Sequence, residues 1–478
     1  MLPMAIVREG DRIVKRPGLL LRLTLFMLGM GVLAVGQFSL VVAADAPRAA
    51  TCKAYDKNTE LSDTLIVPAM LAPCAPGVSE SGASTDIVAN LQHGFDLYSW
   101  LTFVALNSPA DGKTALGSGP RPKGDAPTAW ESYKQLPDLM KEDGKPASFD
   151  EPVEIPKECG GGVVTPGTLI VHIAEETFNQ PFKTGPLIDQ NGNYALFVIF
   201  MNREMYDFII DSDLHTRAGQ RRFQDKKIEF PMGDNGNEEK KIPPRIGALM
   251  IKASWKILKK GEEGKFHAVN GLIYTPGKAG SRGTCVHRTL GLIGFHVAHK
   301  TTFNPQWVWT TFEHRLNVPE ERETKGRLSK QYSFFNPSCD RIRCPVNEVP
   351  KGRWDPAIQP YPEGFRSQIV RVIPVTDDAK SINARALSVP KIKGTVWENY
   401  MLVSTQWPTD FRNPVDLAGV PAPTFLANTT LETYSQGTDP QASSSCIGCH
   451  LNATTARAGD VNEQVKFSDF TYILEKAH

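Results

Sequence analysis

Residues 285–319 read CVHRTLGLIGFHVAHKTTFNPQWVWTTFEHRLNVP and predict two neighbouring β-strands. If Leu290–Thr301 is a strand, His296 lies beside Gly294 and Ala298, and His299 lies on the opposite face. A second strand over Gln306–His314 has one face made of Trp307, Trp309, Thr311 and Glu313. The segment therefore predicts a hairpin with histidines on both faces, and its alternative role is that of a packed hairpin whose histidines are all partnered.

Other segments extend the strand prediction. Residues 246–258 alternate, with Lys252 and Lys256 opposite an apolar row, which is typical of a half-buried strand. An Asn-Gly turn at 189–193 precedes another strand and predicts a tight turn. The predicted strands outside the hairpin are Val163–Ile173, Tyr194–Met201, Ile246–Leu258, Phe266–Tyr274 and Gln368–Val375.

Helices are fewer. Apolar residues at helical spacing predict a helix over Asp86–Asn107, and we also expect helices over Val396–Trp407 and Asp469–Ala477. The 39 glycines and 36 prolines indicate many turns and irregular connections. We therefore expect an α+β fold with a strand-rich body, Pro/Gly-rich loops and a few helices.

The chemistry of the chain is indicated by Cys446-Ile447-Gly448-Cys449-His450, a Cys-x-x-Cys-His motif. This spacing lets two thiols add to the two vinyl groups of one haem, while the adjoining histidine ligates the iron. A Cys446–Cys449 disulfide, a thioredoxin-like redox pair and half of a zinc site are the alternatives. A redox pair belongs near the start of a βαβ unit, whereas only 28 residues follow His450, and no second Cys/His pair completes a zinc site downstream.

The N-terminus predicts export. Residues 1–22 are basic, residues 23–42 are apolar, and small residues fit cleavage after Ala43 or Ala44, as in a Sec-type signal peptide. Removing residues 1–43, with five basic and two acidic side chains, changes the formal charge from +1 to −2, which argues against nucleic acid as a partner. We expect a periplasmic protein, and contact with the membrane only if the signal peptide stays uncleaved as an anchor.

Six cysteines remain outside the motif, and an even number in an oxidising compartment indicates disulfides. Six cysteines allow fifteen connectivities. Nearness in sequence favours Cys52–Cys74 and Cys339–Cys344, which leaves Cys159–Cys285 as the third pair.

The predicted organisation has four parts. Residues 1–43 are the signal peptide, 44–165 an N-terminal helix with an irregular wrapping segment, 166–420 a strand-rich core, and 421–478 a C-terminal segment that carries the haem. Residues 44–478 as a single domain is the alternative.

The hairpin at 285–319 supplies candidates for the other side of the haem. Small residues around His296 leave room for a flat macrocycle, so His296 is a candidate distal ligand. His296, His299 and Glu313 are candidate catalytic acid–base groups, with Trp309 beside them. A separate non-haem metal site of His296, His299, Glu313 and His314 is the alternative.

On its motif and its export signal, the chain resembles the large bacterial periplasmic mono-haem proteins of the cytochrome c family. The resemblance implies one covalent haem c, with Cys446 and Cys449 as thioether anchors and His450 as the proximal ligand. It covers only the five-residue motif and the export context, and it leaves three functions open. These are a haem oxidoreductase, an electron-transfer cytochrome with a six-coordinate iron, and a haem-based ligand sensor. The size of the chain favours the oxidoreductase, acting with a redox partner protein or a small-molecule oxidant or reductant.

Overall fold

The structure is a computed structural model that describes residues 48–49, 59–65, 70–71, 85–110, 127–225, 227–234, 236–237, 239–277, 281–326, 328, 330–350, 366–409, 421–436, 444–456 and 465–478. The predicted signal peptide and the predicted Cys52–Cys74 pair lie outside these residues. Residues Ala43–His478 form one compact unit, within which the predicted segments 44–165, 166–420 and 421–478 all fall.

In the described residues, a nine-stranded sheet is the centre of this unit. The strands, including a separate two-residue pair β1–β2, are β1 Arg48–Ala49, β2 Met70–Leu71, β3 Lys134–Gln135, β4 Thr168–His172, β5 Leu196–Met201, β6 Leu249–Ile257, β7 Ala268–Thr275, β8 Thr284–Thr301, β9 Asn304–His314, β10 Tyr400–Pro408 and β11 Pro421–Ala422. The main path of the sheet runs β11-β10-β9-β8-β6-β5-β3; β7 also pairs with β8, and β4 pairs with β7. Every pairing in this sheet is antiparallel except β4–β7.

Six α-helices accompany these strands in the described residues. The helices are α1 Thr85–Asn107, α2 Leu136–Leu139, α3 Arg203–Asp211, α4 Arg217–Arg222, α5 Asp377–Ala386 and α6 Cys446–His450. Helices and strands account for 25% and 26% of the described residues, and these nearly equal shares agree with the predicted α+β class.

The predicted hairpin is confirmed as β8 and β9. His296 pairs with Thr311 and Ala298 pairs with Trp309, so these four residues share one face. Phe295 pairs with Phe312 on the other face, where both rings belong to a core with Trp100 and Phe103 of α1. We call the side covered by α1 and α5 the helix face. The side covered by α6 and residues 465–478 is the C-terminal face.

Three sequence predictions are wrong in part. Val396–Trp407 is a short 3-10 turn, Val396–Asn399, followed by strand β10. Strand β10 is buried almost throughout, so its sequence lacks the polar alternation that marks a strand with one exposed face. Gln368–Val375 contributes a bridge at Arg371 instead of a strand, and the predicted C-terminal helix is a 3-10 helix over Tyr472–Lys476.

Two of the predicted disulfides are present. Cys159 is paired with Cys285 across 126 residues, and Cys339 is paired with Cys344. The first joins the segment before β4 to the start of β8. It therefore closes a long loop, whose cross-linking restricts the unfolded chain more than the short Cys339–Cys344 loop does.

Candidate functional site

The Cys-x-x-Cys-His motif forms α6 on the C-terminal face. Ser445 caps this helix by accepting a hydrogen bond from the backbone N–H of Gly448 at 3.2 Å. Gln406 of β10, the partner of Trp309 in β9, accepts a hydrogen bond from the backbone N–H of Ile447 at 2.8 Å. The Ile447 side chain is fully buried in the core of this face. The buried side chain of Ile447 and the hydrogen bond from its backbone N–H to Gln406 therefore fix the motif to the sheet.

The ring of His450 is oriented by its surroundings. Its Nδ1 lies 2.7 Å from the carbonyl oxygen of Phe470, which can only accept, so Nδ1 carries the proton and donates. The rings of Trp309 and Tyr472 contact the His450 ring at a tilt, with centroid distances of 4.5 and 5.2 Å. Burial lowers the pKa of His450 to about 4, so the imidazole is neutral. In this tautomer the lone pair of Nε2 is the one that can bind a metal.

Cys446 and Cys449 are not disulfide-bonded and are partly buried. A Cys446–Cys449 disulfide is therefore absent. Burial raises the pKa of both thiols, and that of Cys446 lies well above its usual range. A catalytic Cys-x-x-Cys pair has a lowered thiol pKa, so these thiols have the opposite character from a thioredoxin-like pair.

His296 lies on the same face as α6, as the alternation predicts. Its cross-strand neighbours are Lys252 of β6 and Thr311 of β9. Its buried Nε2 lies 3.4 Å from Oε2 of Glu432, but the geometry is not that of a hydrogen bond. Burial, together with the nearby positive charge of Lys252, holds the pKa of His296 well below its ordinary value. His296 is therefore a neutral imidazole with an unpartnered nitrogen.

Sequence reasoning missed Glu432 and placed Lys252 on a solvent face. Burial raises the pKa of Glu432 to about 7. Burial also lowers the pKa of Lys252, and the negative charge of Glu432 opposes that shift. Glu432 lies in an irregular segment far from β8 in sequence, so no local pattern indicates that it meets His296. The regular spacing of Lys252 and Lys256 predicted a strand face exposed to solvent. The sequence did not show that the C-terminal segment covers this face at Lys252.

Glu313 lies on the same face but has structural partners. It forms a fully buried ion pair with Arg371 at 2.6 Å. Its other oxygen accepts a hydrogen bond from the backbone N–H of Thr429 at 2.6 Å, and the hydroxyl of Thr429 also donates to the carboxylate. Because both oxygens are engaged, Glu313 anchors the segment around residue 429, and its geometry does not suit the acid–base role expected from sequence.

His299 and His314 lie apart from α6. His299 is on the helix face, where its Nδ1 pairs with the hydroxyl of Tyr98, and burial lowers its pKa to about 3. The catalytic role expected for His299 therefore lacks a place at the site. His314 stacks on Phe266, and its Nε2 lies 2.9 Å from the carbonyl oxygen of Lys265.

The non-haem metal site predicted as an alternative is not formed. Its four residues divide between the two faces, and Glu313 is paired with Arg371. Within the part of the chain that the structure describes, no three His, Cys, Asp or Glu side chains group in a way that would hold a metal ion.

Comparison with known proteins gives no relative: no protein-family model, no curated protein and no solved structure matches this chain. Among the helices of the described ranges, none is both long and apolar enough to cross a bilayer.

Proposed function

We propose that this chain is an exported redox protein that carries one haem c. The haem would be joined by thioether bonds to Cys446 and Cys449, with the iron bound by Nε2 of His450. The observation that carries the proposal is the hydrogen bond from Nδ1 of His450 to Phe470, since a proximal histidine needs this tautomer and a fixed ring. Bound haem would supply an iron that gains and loses an electron and can take a small ligand.

Three features of the chain fit this group. Cys446 and Cys449 are not joined by a disulfide, as two separate thioether bonds require. The Nε2 atom of His450 has no hydrogen-bond partner in the described residues. The buried, unpartnered Nε2 of His296 lies on the same face and is a nitrogen that lacks a ligand or a donor.

The cellular location follows from the same proposal. Thioether attachment occurs after export of the unfolded chain, which fits the predicted signal peptide at 1–43. The Cys159–Cys285 and Cys339–Cys344 pairs are compatible with an oxidising compartment. We therefore assign the protein to the periplasm.

The geometry around His296 favours an oxidoreductase. Glu432 holds a proton near neutral pH because it is buried, and it lies within 3.4 Å of the imidazole. A carboxyl that holds a proton near neutral pH can act as the general acid toward a substrate bound beside His296. Such proton delivery accompanies the reduction of small oxidants. The other substrate would be a redox partner protein or a small-molecule reductant.

An electron-transfer cytochrome is the second candidate. It is favoured by the neutral state of His296, because a neutral imidazole with a free lone pair is a good sixth ligand for iron. A six-coordinate iron leaves no exchangeable position and therefore suits electron transfer.

Absorption spectra of the exported protein separate these candidates. We expect a c-type spectrum that His450→Ala alters strongly, while His287→Ala, at an exposed position of β8, leaves it unchanged. Carbon monoxide binding and a high-spin ferric state would support the oxidoreductase. A low-spin ferric state, converted to high-spin by His296→Ala, would support the electron carrier. A His450→Ala spectrum identical to that of the wild type would contradict the proposed ligand.

A further inference from the structure

A cleft of about 720 Å³ lies at the start of α3, where residues 231–233 and 244–246 face it. Its volume is in the range of small-molecule sites. The walls combine aromatic and aliphatic side chains with carboxylates; those used below are Tyr133, Glu204, Asp207, Phe208 and Met232. None of the lining residues belongs to α6, and none of them is His296, Lys252 or Glu432.

Tyr133 is the first indication of a missing ligand. Its side chain lies in the wall of the cleft and only 7% of the residue is exposed. Yet no residue in the described ranges forms a hydrogen bond with its hydroxyl. Because the rest of the side chain is buried, the hydroxyl can be partnered only from the cleft, by water or by a ligand.

Glu204 is the second indication. It is partly buried and accepts one hydrogen bond, from the side-chain amide of Asn202 at 2.6 Å. No ion pair forms on it within the described residues. Burial raises the pKa of Glu204, and after burial its charge is the next cause that raises the pKa of Tyr133. The carboxylate of Glu204 therefore opposes ionisation of the Tyr133 phenol, which stays neutral and can donate or accept a hydrogen bond.

Both arginines that line the cleft form an ion pair with a carboxylate that is not part of its lining. Arg203 forms an ion pair with Asp150 and lies 4.4 Å above the ring of Phe149; its distance to Asp207 is a weak 3.9 Å. Arg245 pairs with Asp234. The carboxylates of Glu204 and Asp207 therefore give the cleft a negative character beside an apolar wall.

We propose that this cleft binds a small organic cation, whose ammonium group lies between Glu204 and Tyr133 while its apolar part packs on Phe208 and Met232. An ammonium group donates to the carboxylate and to the phenol oxygen at once, so it supplies a partner for both. Phe208 is half-buried and Met232 is exposed, so both offer apolar surface to the ligand. This inference is independent of the proposed haem.

Calorimetric titration of the full-length purified protein with phenethylamine tests the proposal, with phenylethanol and phenylacetate as neutral and anionic probes. Phenethylamine should bind, and the other two should bind at least about tenfold more weakly. Tyr133→Phe, which removes one oxygen atom, and Glu204→Gln should each weaken phenethylamine binding about tenfold or more, as expected for a lost hydrogen bond to a charged group. Tyr332→Phe, a buried tyrosine outside the cleft, is the matched control and should bind as the wild type does.

Glu204→Gln could disturb the Asn202 contact, so Asp207→Asn provides a more exposed second charge variant; we expect a smaller but measurable loss. No binding of phenethylamine to the wild type would overturn the proposal. Equal binding of phenethylamine and phenylethanol would overturn it too, and so would Tyr133→Phe and Asp207→Asn variants that both bind like the wild type.

Discussion

The two faces of the central sheet are built from the same strands, yet their buried polar groups differ in kind. On the helix face, polar side chains pair with neutral partners: Ser99 contacts Thr310 and Thr405 at 2.6 Å, and Tyr98 pairs with His299. The C-terminal face buries more charged groups: Lys252, Glu432 and the pairs Glu313–Arg371 and Lys300–Asp469. On the helix face, α1 buries the carboxyl group of Asp96. Buried charges cost free energy unless they are paired, and their concentration beside α6 supports the proposed function of this face.

The largest effect we predict is on the helix face. Phe103→Ala should lower the free energy of unfolding by about 3–5 kcal/mol, because Phe103 stacks on Phe312 at 4.0 Å in a fully buried aromatic cluster. Denaturant unfolding measures the loss. Phe182→Ala, at a side chain that is 71% exposed, is the control and should change stability by less than about 0.5 kcal/mol. A small loss for Phe103→Ala would show that the helix face is not the main core.

Glu313→Gln probes the charged face. It should cost about 3 kcal/mol, because it leaves the buried guanidinium of Arg371 without a counter-charge. Adding Arg371→Met should recover part of this loss in the same unfolding assay. If the double variant is as unstable as the sum of the two single variants, the two residues are not coupled and the ion-pair interpretation is wrong.

Asp96 of α1 is a buried ionisable group on the helix face, and its contribution to stability can be measured by varying the pH. Burial raises its pKa from 3.8 to about 7. The folded state thus binds more protons than the unfolded state between these values, and stability should fall as pH rises from about 4 to 7, by at most about 1.4 kcal/mol per pH unit. Asp96→Asn should remove this contribution and be more stable than the wild type at pH 8. Parallel stability profiles of the two proteins would contradict the assignment.

His296 and His299 are three residues apart in β8 and provide the most direct contrast between the faces. His299→Gln should cost about 1–3 kcal/mol by removing the buried hydrogen bond between Nδ1 of His299 and the Tyr98 hydroxyl, and it should leave the absorption spectrum of the proposed haem unchanged. His296→Gln should cost less than about 1 kcal/mol, because no hydrogen bond to its Nε2 is lost. It should nevertheless shift the Soret band or alter carbon monoxide binding. If His299→Gln changed the spectrum and His296→Gln did not, the proposed site would lie on the helix face, and its assignment to the C-terminal face would be contradicted.

Sequence alone supports the parts of this account that depend on short-range patterns. The period-two alternation in β8 and β9 correctly separates His296 from His299 and groups His296 with Trp309. Strand β10 was mistaken for a helix because both of its faces are buried, which removes the alternation.

The sequence alone does not show which residues that are distant along the chain come into contact. Glu432 approaches His296, and Arg371 approaches Glu313, through irregular segments. Neither the periodicity nor the composition of the sequence predicts these two contacts. The motif residues were recognisable because their chemistry needs a fixed local spacing, whereas the groups around them depend on how a covering segment packs on a sheet.

The most direct test of the central claim is the mass of the intact chain after denaturation and acid–acetone extraction, which removes haem that is not covalently bound. The protein should be produced by export in a host that matures c-type cytochromes. We predict the mass of the processed chain plus one haem for the wild type, and a chain without haem when both Cys446 and Cys449 are changed to serine. A wild-type chain at its unmodified mass would contradict the account.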